Sequence, residues 1–75
     1  MYIRIKELRE KYELTQNEIS QKLKISRPLY SLYETGKREI PISLLSKLAK
    51  LYNTSIDYIV GDTDEIIPYE KSSKI

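Results

Sequence analysis

The chain has no cysteine and no histidine among its 75 residues. Without cysteine it can form neither a disulfide nor a thiolate metal site, which fits a reducing compartment. Without histidine it lacks the commonest general base and the commonest metal ligand. No nucleophilic side chain stands beside a recognisable base in any motif. We therefore predict no catalytic site, no metal and no cofactor, and an enzyme is the poorest interpretation.

Long apolar runs are missing as well, because no stretch exceeds three consecutive apolar residues. A membrane-spanning helix needs about 20 such residues, so no membrane span is expected. The opening residues 1–6 form no extended apolar segment and contain no small-residue cleavage site, so a secretory signal is not expected either. A chain of 75 residues has room for one domain. We expect a soluble domain in the cytoplasm.

Charge is distributed unevenly along the chain. The net charge is only +2, from 13 basic and 11 acidic residues. Residues 21–50 hold seven basic and two acidic residues, a balance of +5, whereas residues 62–75 hold two basic and four acidic residues, a balance of −2. A basic middle on a nearly neutral chain fits a surface that binds a polyanion. A solvated surface without a partner would show the same pattern.

The first two helices are predicted from apolar spacing and from a capping pattern. Apolar residues recur at helical spacing over residues 2–12, which predicts an amphipathic helix. Thr15 and Glu18 have the spacing of a capping box, in which each side chain binds the backbone amide of the other residue. We expect a second helix from Gln16 to about Leu23.

The third helix is predicted from about Ser26 to Gly36. Ser26 is a suitable N-cap, and Pro28 fits the first turn, where a missing amide hydrogen has no intrahelical partner to lose. Gly36 suits a left-handed C-terminal cap. Since only Lys24 and Ile25 separate this helix from the second one, the two form a helix-turn-helix.

Two more helices complete an all-α prediction, since no segment has the alternation of a strand. The fourth helix begins at or just after Pro41, and the short fifth helix is capped by Ser55 and stopped by Gly61. The predicted compact five-helix domain is residues 1–61. Residues 62–75 form an acidic and polar C-terminal tail that could dock or dimerise.

The third helix is apolar on two sides. At 3.6 residues per turn, Tyr30 and Tyr33 lie on one side, which is the natural core face. Pro28 and Leu32 lie on the opposite side, and so short a chain has no further element to cover them. We expect a partner molecule to cover this second side.

A series of residues follows the order and spacing of one known family. The series is Leu14-Thr15-Gln16-Asn17-Glu18-Ile19-Ser20, Ile25-Ser26-Arg27, Tyr33-Glu34-Thr35-Gly36-Lys37-Arg38, and Pro41 followed by Leu45-x-x-Leu48-Ala49. It resembles the lambda-repressor-like (Cro/CI, or XRE) helix-turn-helix family over about residues 3–61. The resemblance implies five helices, with the third in the major groove of DNA and the second crossing the phosphate backbone.

The resemblance also implies roles for individual positions. The base-facing positions would be Arg27, Pro28, Leu29 and Leu32. The phosphate-facing positions, which act through side chains, amides and charge, would be Gln16, Ser26, Ser31, Thr35, Lys37 and Arg38. Arg9 and Glu34 match an arginine–glutamate pair that ties the first helix to the end of the third, although the sequence alone would allow two unrelated surface charges.

The chemistry of the base-facing residues predicts part of the DNA site. Arg27 can donate two hydrogen bonds to one guanine, whereas Pro28, Leu29 and Leu32 have no donor and can contact chiefly the methyl group of thymine. We expect a guanine within reach of Arg27 and T-rich positions beside Pro28 and Leu32.

Two residues depart from the family pattern. Lys24 stands where glycine often occupies the turn, and a left-handed lysine would cost about 1 kcal/mol, so we expect a looser or differently shaped turn. Ser20 replaces the usual alanine between the second and third helices. It should fit if its hydroxyl binds a carbonyl of the preceding turn.

We interpret the chain as a sequence-specific double-stranded DNA-binding regulator of transcription. That it is a repressor is implied only by the resemblance to the family. One small module covers little DNA, so we expect a homodimer on an inverted repeat with half-site centres about 34 Å apart or a multiple of that distance. The hypothetical dimer surface is Ile56, Tyr58, Ile59, Val60, Ile66 and Ile67. The alternative is a protein-interaction module, such as an antitoxin or antirepressor, whose tail binds a protein partner.

Overall fold

A computed structural model describes residues 3–67, and this part of the chain folds into five helices without a strand. The helices are α1 (Ile5–Lys11), α2 (Gln16–Leu23), α3 (Arg27–Glu34), α4 (Ile42–Leu51) and α5 (Ile56–Ile59). The all-α prediction is therefore confirmed. Within the described part, no helix has the length and apolar character needed to cross a membrane. Residues 68–75 of the predicted tail lie outside the described residues.

The start of α2 has the predicted capping box. The Thr15 hydroxyl accepts a hydrogen bond from the Glu18 amide at 3.0 Å, and the Glu18 carboxylate accepts one from the Thr15 amide at 2.8 Å. The start of α1 differs from the prediction, because this helix begins at Ile5 rather than at residue 2, and its N-cap Arg4 makes no side-chain capping bond.

The turn between α2 and α3 is tight, so the expectation of a looser turn at Lys24 was wrong. Lys24 adopts the left-handed conformation, with φ of 62°, and its amide donates to the Gln21 carbonyl at 3.1 Å. The Ile25 amide closes the turn on the Ser20 carbonyl at 3.0 Å. Ser20 is buried and its hydroxyl donates to the Asn17 carbonyl at 2.8 Å, as expected for a serine in this contact.

The core draws residues from all five helices. Its buried apolar residues are Ile5, Leu8, Ile19, Leu23, Tyr30, Tyr33, Ile40, Leu45, Leu48, Ala49, Tyr52 and Ile59. Tyr12, the last of the apolar residues at helical spacing in residues 2–12, is not part of this core, because almost half of it is exposed. Its hydroxyl instead donates to the Tyr52 carbonyl at 2.8 Å, and this bond joins the ends of α1 and α4.

Candidate nucleic-acid interface

One side of α3 is left uncovered by the rest of the domain. Tyr30 and Tyr33 are buried in the core, whereas Arg27 and Pro28 are exposed and Leu32 keeps 37 % of its surface accessible. This is the division into two sides that the helical spacing predicted. Contact of the uncovered side with DNA bases stays a prediction.

Leu29 does not belong to this uncovered side in the way that the resemblance implied. It is half-buried and packs against the core cluster, because it lies beside the buried Tyr30 on the flank of the helix. Only the exposed part of Leu29 can reach a partner. The apolar surface available to a base is therefore mainly that of Pro28 and Leu32.

The start of α3 is fixed by its cap. The Ser26 hydroxyl accepts a hydrogen bond from the Leu29 amide at 3.2 Å, so its lone pair is used within the helix. Ser26 is exposed and Ser31 is half-buried. Both hydroxyl groups remain candidates for donating a hydrogen bond to a phosphate oxygen, as the resemblance implies.

In the segment after α3, the backbone amides of Thr35, Lys37 and Arg38 are used within the protein, so their side chains are what a partner can contact. The amides of Lys37 and Arg38 both donate to the Leu32 carbonyl, at 3.0 and 3.2 Å, and the Thr35 amide donates to the Ser31 carbonyl at 3.0 Å. The expectation that these amides face phosphates was therefore wrong. They close the left-handed cap at Gly36, whose φ is 79°.

The side chains of this segment differ in what they offer. The Thr35 hydroxyl donates to the Ser31 carbonyl at 3.0 Å, which leaves only its lone pairs and makes it a poor partner for an anion. Lys37 and Arg38 are exposed cations. Any attraction of this segment for phosphate therefore comes from these two charges.

A buried carboxylate ties the end of α3 to α1 and α2. Glu34 accepts hydrogen bonds from Arg9 Nε at 2.8 Å, from the Tyr30 hydroxyl at 2.7 Å and from Gln16 Nε2 at 2.8 Å. The side chains of Arg9 and Glu34 are only 13 % and 5 % exposed. The arginine–glutamate pair is thus a buried ion pair rather than two surface charges.

The surroundings of Glu34 act on its pKa in opposite directions. Burial raises the pKa of this carboxyl, but the hydrogen bonds from Arg9, Tyr30 and Gln16 outweigh burial and hold the pKa below its ordinary value. Burial, followed by the hydrogen bond to Glu34, raises the pKa of the Tyr30 hydroxyl. Glu34 is therefore an anion and Tyr30 a neutral donor at neutral pH.

Gln16 connects this buried group to the uncovered side of α3. Its amide nitrogen donates to Glu34, and its amide oxygen accepts a hydrogen bond from Arg27 Nη1 at 3.2 Å. Gln16 was predicted to bind a phosphate, yet both ends of its amide already have protein partners. Sequence spacing gave no signal for this link, since Gln16 and Arg27 lie in different helices.

The predicted dimer surface is not supported as a whole. Ile59 is fully buried in the core, so its assignment to a dimer interface was wrong. Ile56, Tyr58, Val60 and Ile66 are half-buried and pack against the core cluster. A four-residue helix has too few positions for its spacing to show which side faces inward. Ile67 is the one member of the set that the structure leaves largely exposed.

An exposed apolar residue that sequence reasoning missed lies at the start of α4. Ile42 is 66 % exposed, and it lines a groove of about 430 Å³ together with Ile3, Leu45 and Val60. Arg38 and Glu39 line the same groove. Among residues 3–67, no group of three or more acidic, histidine or cysteine side chains could hold a metal ion.

Comparison with known proteins identifies the same region. A family model described as "Helix-turn-helix" matches residues 5–59. The chain is similar to an uncharacterized HTH-type transcriptional regulator, YobD, of Bacillus subtilis, with 37% identity over 65 residues that cover 87% of this chain and 58% of the relative. No solved structure matches the chain.

Two further relatives carry more specific names. The cryptic phage CTXphi transcriptional repressor RstR of Vibrio cholerae is 31% identical over 72 residues, which cover 96% of this chain and 65% of the relative. The antitoxin PezA of Streptococcus pneumoniae is 35% identical over 66 residues, which cover 88% of this chain and 42% of the relative. The chain therefore spans less than two thirds of the length of each of the three relatives.

Proposed function

The chain belongs to the Cro/CI-type helix-turn-helix family, and from this membership we propose that it binds double-stranded DNA at specific sequences and represses transcription. The observation that carries the proposal is the uncovered side of α3, where Arg27, Pro28 and Leu32 are exposed and no other described element covers them. Repression is supported by the similarity to a protein named as a phage transcriptional repressor.

In this proposal α3 lies in the major groove and its exposed side chains contact base edges. Arg27 donates to guanine, and Pro28 and Leu32 pack against thymine methyl groups. Lys37 and Arg38 contribute charge to the phosphate backbone, while the hydroxyls of Ser26 and Ser31 donate to phosphate oxygens. The buried Glu34 holds Gln16, and Gln16 in turn keeps the Arg27 guanidinium at the edge of the interface.

Selection of binding sites from random duplex DNA tests this function directly. We expect enriched sites with a guanine at one position of each half-site and thymines beside it, arranged as an inverted repeat. Because phosphate contacts alone give binding without sequence preference, the selection is carried out at near-physiological salt. Equal retention of random and selected duplexes would contradict the proposal.

Replacing Arg27 by alanine should change which sequences are bound. We expect a loss of about 1–3 kcal/mol in binding and a relaxed preference at one base position, because Arg27 is the bidentate donor among the four predicted base-facing residues. Replacing Lys37 by alanine is the matched control, since it should weaken binding to all sequences alike and reduce the salt slope by about one. Titrations of a selected and a scrambled duplex at several salt concentrations separate the two effects.

Dimerisation is part of the proposal because one module of this size covers too little DNA for high specificity. The groove beside Ile42 supports it, since under a two-fold axis the exposed Ile42 of each copy can pack into the groove of the other. Such an interface uses the same patch on both copies, as two-fold symmetry requires.

Replacing Ile42 by aspartate should weaken binding to a duplex with two half-sites by about tenfold or more, because burying one isoleucine contributes about 1.5–3 kcal/mol and 1.4 kcal/mol corresponds to a factor of ten. Affinity for a single half-site should not change. Leu51→Asp is the matched control, since Leu51 is an exposed apolar residue at the other end of the same helix. Sedimentation with both duplexes measures the stoichiometry, and equal behaviour of the two variants would remove Ile42 from the interface.

A protein-interaction module is the second candidate function. It is supported by the similarity to a protein named as an antitoxin and by the exposed Ile67 in the predicted tail. Deletion of residues 67–75 compares the two candidates, because it removes the exposed Ile67 and leaves in place residues 62–66, which bind the folded domain. Loss of a protein partner with unchanged DNA affinity would favour the second.

A further inference from the structure

The chain after α5 folds back along the domain instead of leaving it. Gly61, with φ of 88°, reverses the backbone. The amides of Asp62 and Thr63 then donate to the Asp57 carbonyl at 2.8 and 3.4 Å. The predicted domain boundary at residue 61 therefore falls before a segment that is bound to the domain.

Arg4 at the start of α1 is the main attachment point of this segment. Its guanidinium donates to the Thr63 carbonyl at 3.0 Å and to the Asp64 carboxylate at 2.6 Å. It also lies over the Tyr58 ring, 4.3 Å from the ring centre, in a cation–π contact. The side chain of Arg4 is only 16 % exposed as a result. These contacts make Arg4 a structural residue that joins α1 to the segment after α5, rather than a solvated surface charge.

A second attachment point lies two residues further along. Thr54 is buried in the loop between α4 and α5, and its hydroxyl donates to the Ile66 carbonyl. Ile66 itself is half-buried and packs against the core cluster. The acidic run of residues 62–65 is therefore held at both ends.

Helix α1 connects this segment to the recognition surface, which is the uncovered side of α3 with Arg27, Pro28 and Leu32. Arg4 holds the segment at the N-terminal end of α1, and Arg9 on the same seven-residue helix binds Glu34 at the end of α3. Arg9 also donates to the Leu14 carbonyl at 2.8 Å, just before α2. A shift of α1 would therefore move Arg9, which binds Glu34. Through Glu34 the shift would reach Gln16, and through Gln16 it would reach Arg27.

We propose that residues 62–66 form a strap that holds α1 in place, so that release of the strap weakens DNA binding. The proposal rests on the proposed DNA-binding function. A protein that captured the strap would have to replace Arg4 as the cation beside Asp64 and cover Ile66. A partner with a basic and apolar groove fits this segment, and its binding opposes DNA binding.

Two pairs of variants test the strap with matched changes in charge. Arg4→Met and Lys6→Met each remove one positive charge at the N-terminal end of α1, but of these two residues only Arg4 holds the strap. Asp64→Asn and Asp62→Asn each remove one negative charge, but only the Asp64 side chain binds Arg4. The second pair is the milder one, because Asp64 is exposed, and it keeps the test valid if Arg4→Met does not fold.

The readouts are hydrogen exchange of residues 62–66 and of α1, and affinity for a selected duplex. Relative to Lys6→Met, we expect Arg4→Met to exchange about tenfold faster in both segments. We expect its DNA affinity to be about fivefold lower, with unchanged base preference. Asp64→Asn should bind DNA more weakly than Asp62→Asn, although simple charge attraction would make the two equal.

Equal exchange and equal affinity within both pairs would overturn the strap. Faster exchange of the strap without any change in α1 or in DNA affinity would overturn the coupling to the recognition surface. If the wild-type chain shows no sequence preference, the proposed function fails, and the exchange of α1 alone still decides whether the strap holds this helix.

Discussion

Replacing Glu34 by glutamine should lower the free energy of unfolding by about 3–5 kcal/mol, because it leaves the Arg9 guanidinium buried without a negative partner. Glutamine has nearly the same shape, so the loss reports charge and hydrogen bonding rather than a cavity. The side chains of Glu34 and Arg9 are only 5 % and 13 % exposed, so water can replace little of what is lost. Urea denaturation of wild type and variant measures the difference.

The matched control for this change is Glu39→Gln, at an exposed glutamate in the loop after α3. Surface substitutions usually change stability by about 0.5 kcal/mol or less, so this variant should behave like wild type. If both variants lose equally little free energy of unfolding, the buried pair contributes no more to stability than a surface charge. The account of Glu34 as the link between α1 and α3 would then be wrong.

The pH dependence of stability gives a second test of Glu34. Because its pKa is lowered in the folded state, the carboxylate contributes stability above the unfolded pKa of about 4.3, and this contribution is lost as pH falls through the lower folded pKa. The difference in stability between wild type and Glu34→Gln should therefore shrink as the pH is lowered below about 4.3. A difference that stays constant down to acid pH would exclude this carboxylate as its source.

The parts of the fold that could be predicted from the sequence are those that depend on neighbours a few positions away. The capping box of Thr15 and Glu18 joins residues three positions apart, and its chemistry is readable directly. The buried side of α3 follows from the spacing of Tyr30 and Tyr33 along one helix. Such features need no knowledge of how helices pack.

The features that were missed join residues far apart in the sequence. Arg4 and Thr63 are separated by 59 positions, and no periodicity indicates that a tail returns to the first helix. The bond between Gln16 and Arg27 depends on how α2 and α3 cross, and the resemblance gave each residue a separate role. Lys24 was misjudged for another reason, since the local cost of a left-handed lysine was weighed without the two backbone bonds that close the turn.

Replacing Tyr33 by alanine should destabilise the domain by about 3–5 kcal/mol, the range for truncating a buried aromatic residue. Tyr33 is a buried member of the core cluster, with only 6 % of its surface exposed. We expect a clear drop in the midpoint of a thermal melt. DNA binding should fall only because less of the protein is folded, so the base preference of the remaining folded fraction should stay the same.

The neighbouring Leu32→Ala is the control, because it changes the opposite side of the same helix. This substitution should cost about 1 kcal/mol or less in stability, since Leu32 is 37 % exposed. Its main effect should be on DNA, through lost affinity for sites that carry thymine at the contacted position and little change elsewhere. The two variants should therefore differ in their main effect: Tyr33→Ala lowers the melting midpoint, and Leu32→Ala changes the selected DNA sequence. Equal losses in the two melts would mean that α3 does not divide into a core side and a DNA side, and the function proposed from that division would lose its support.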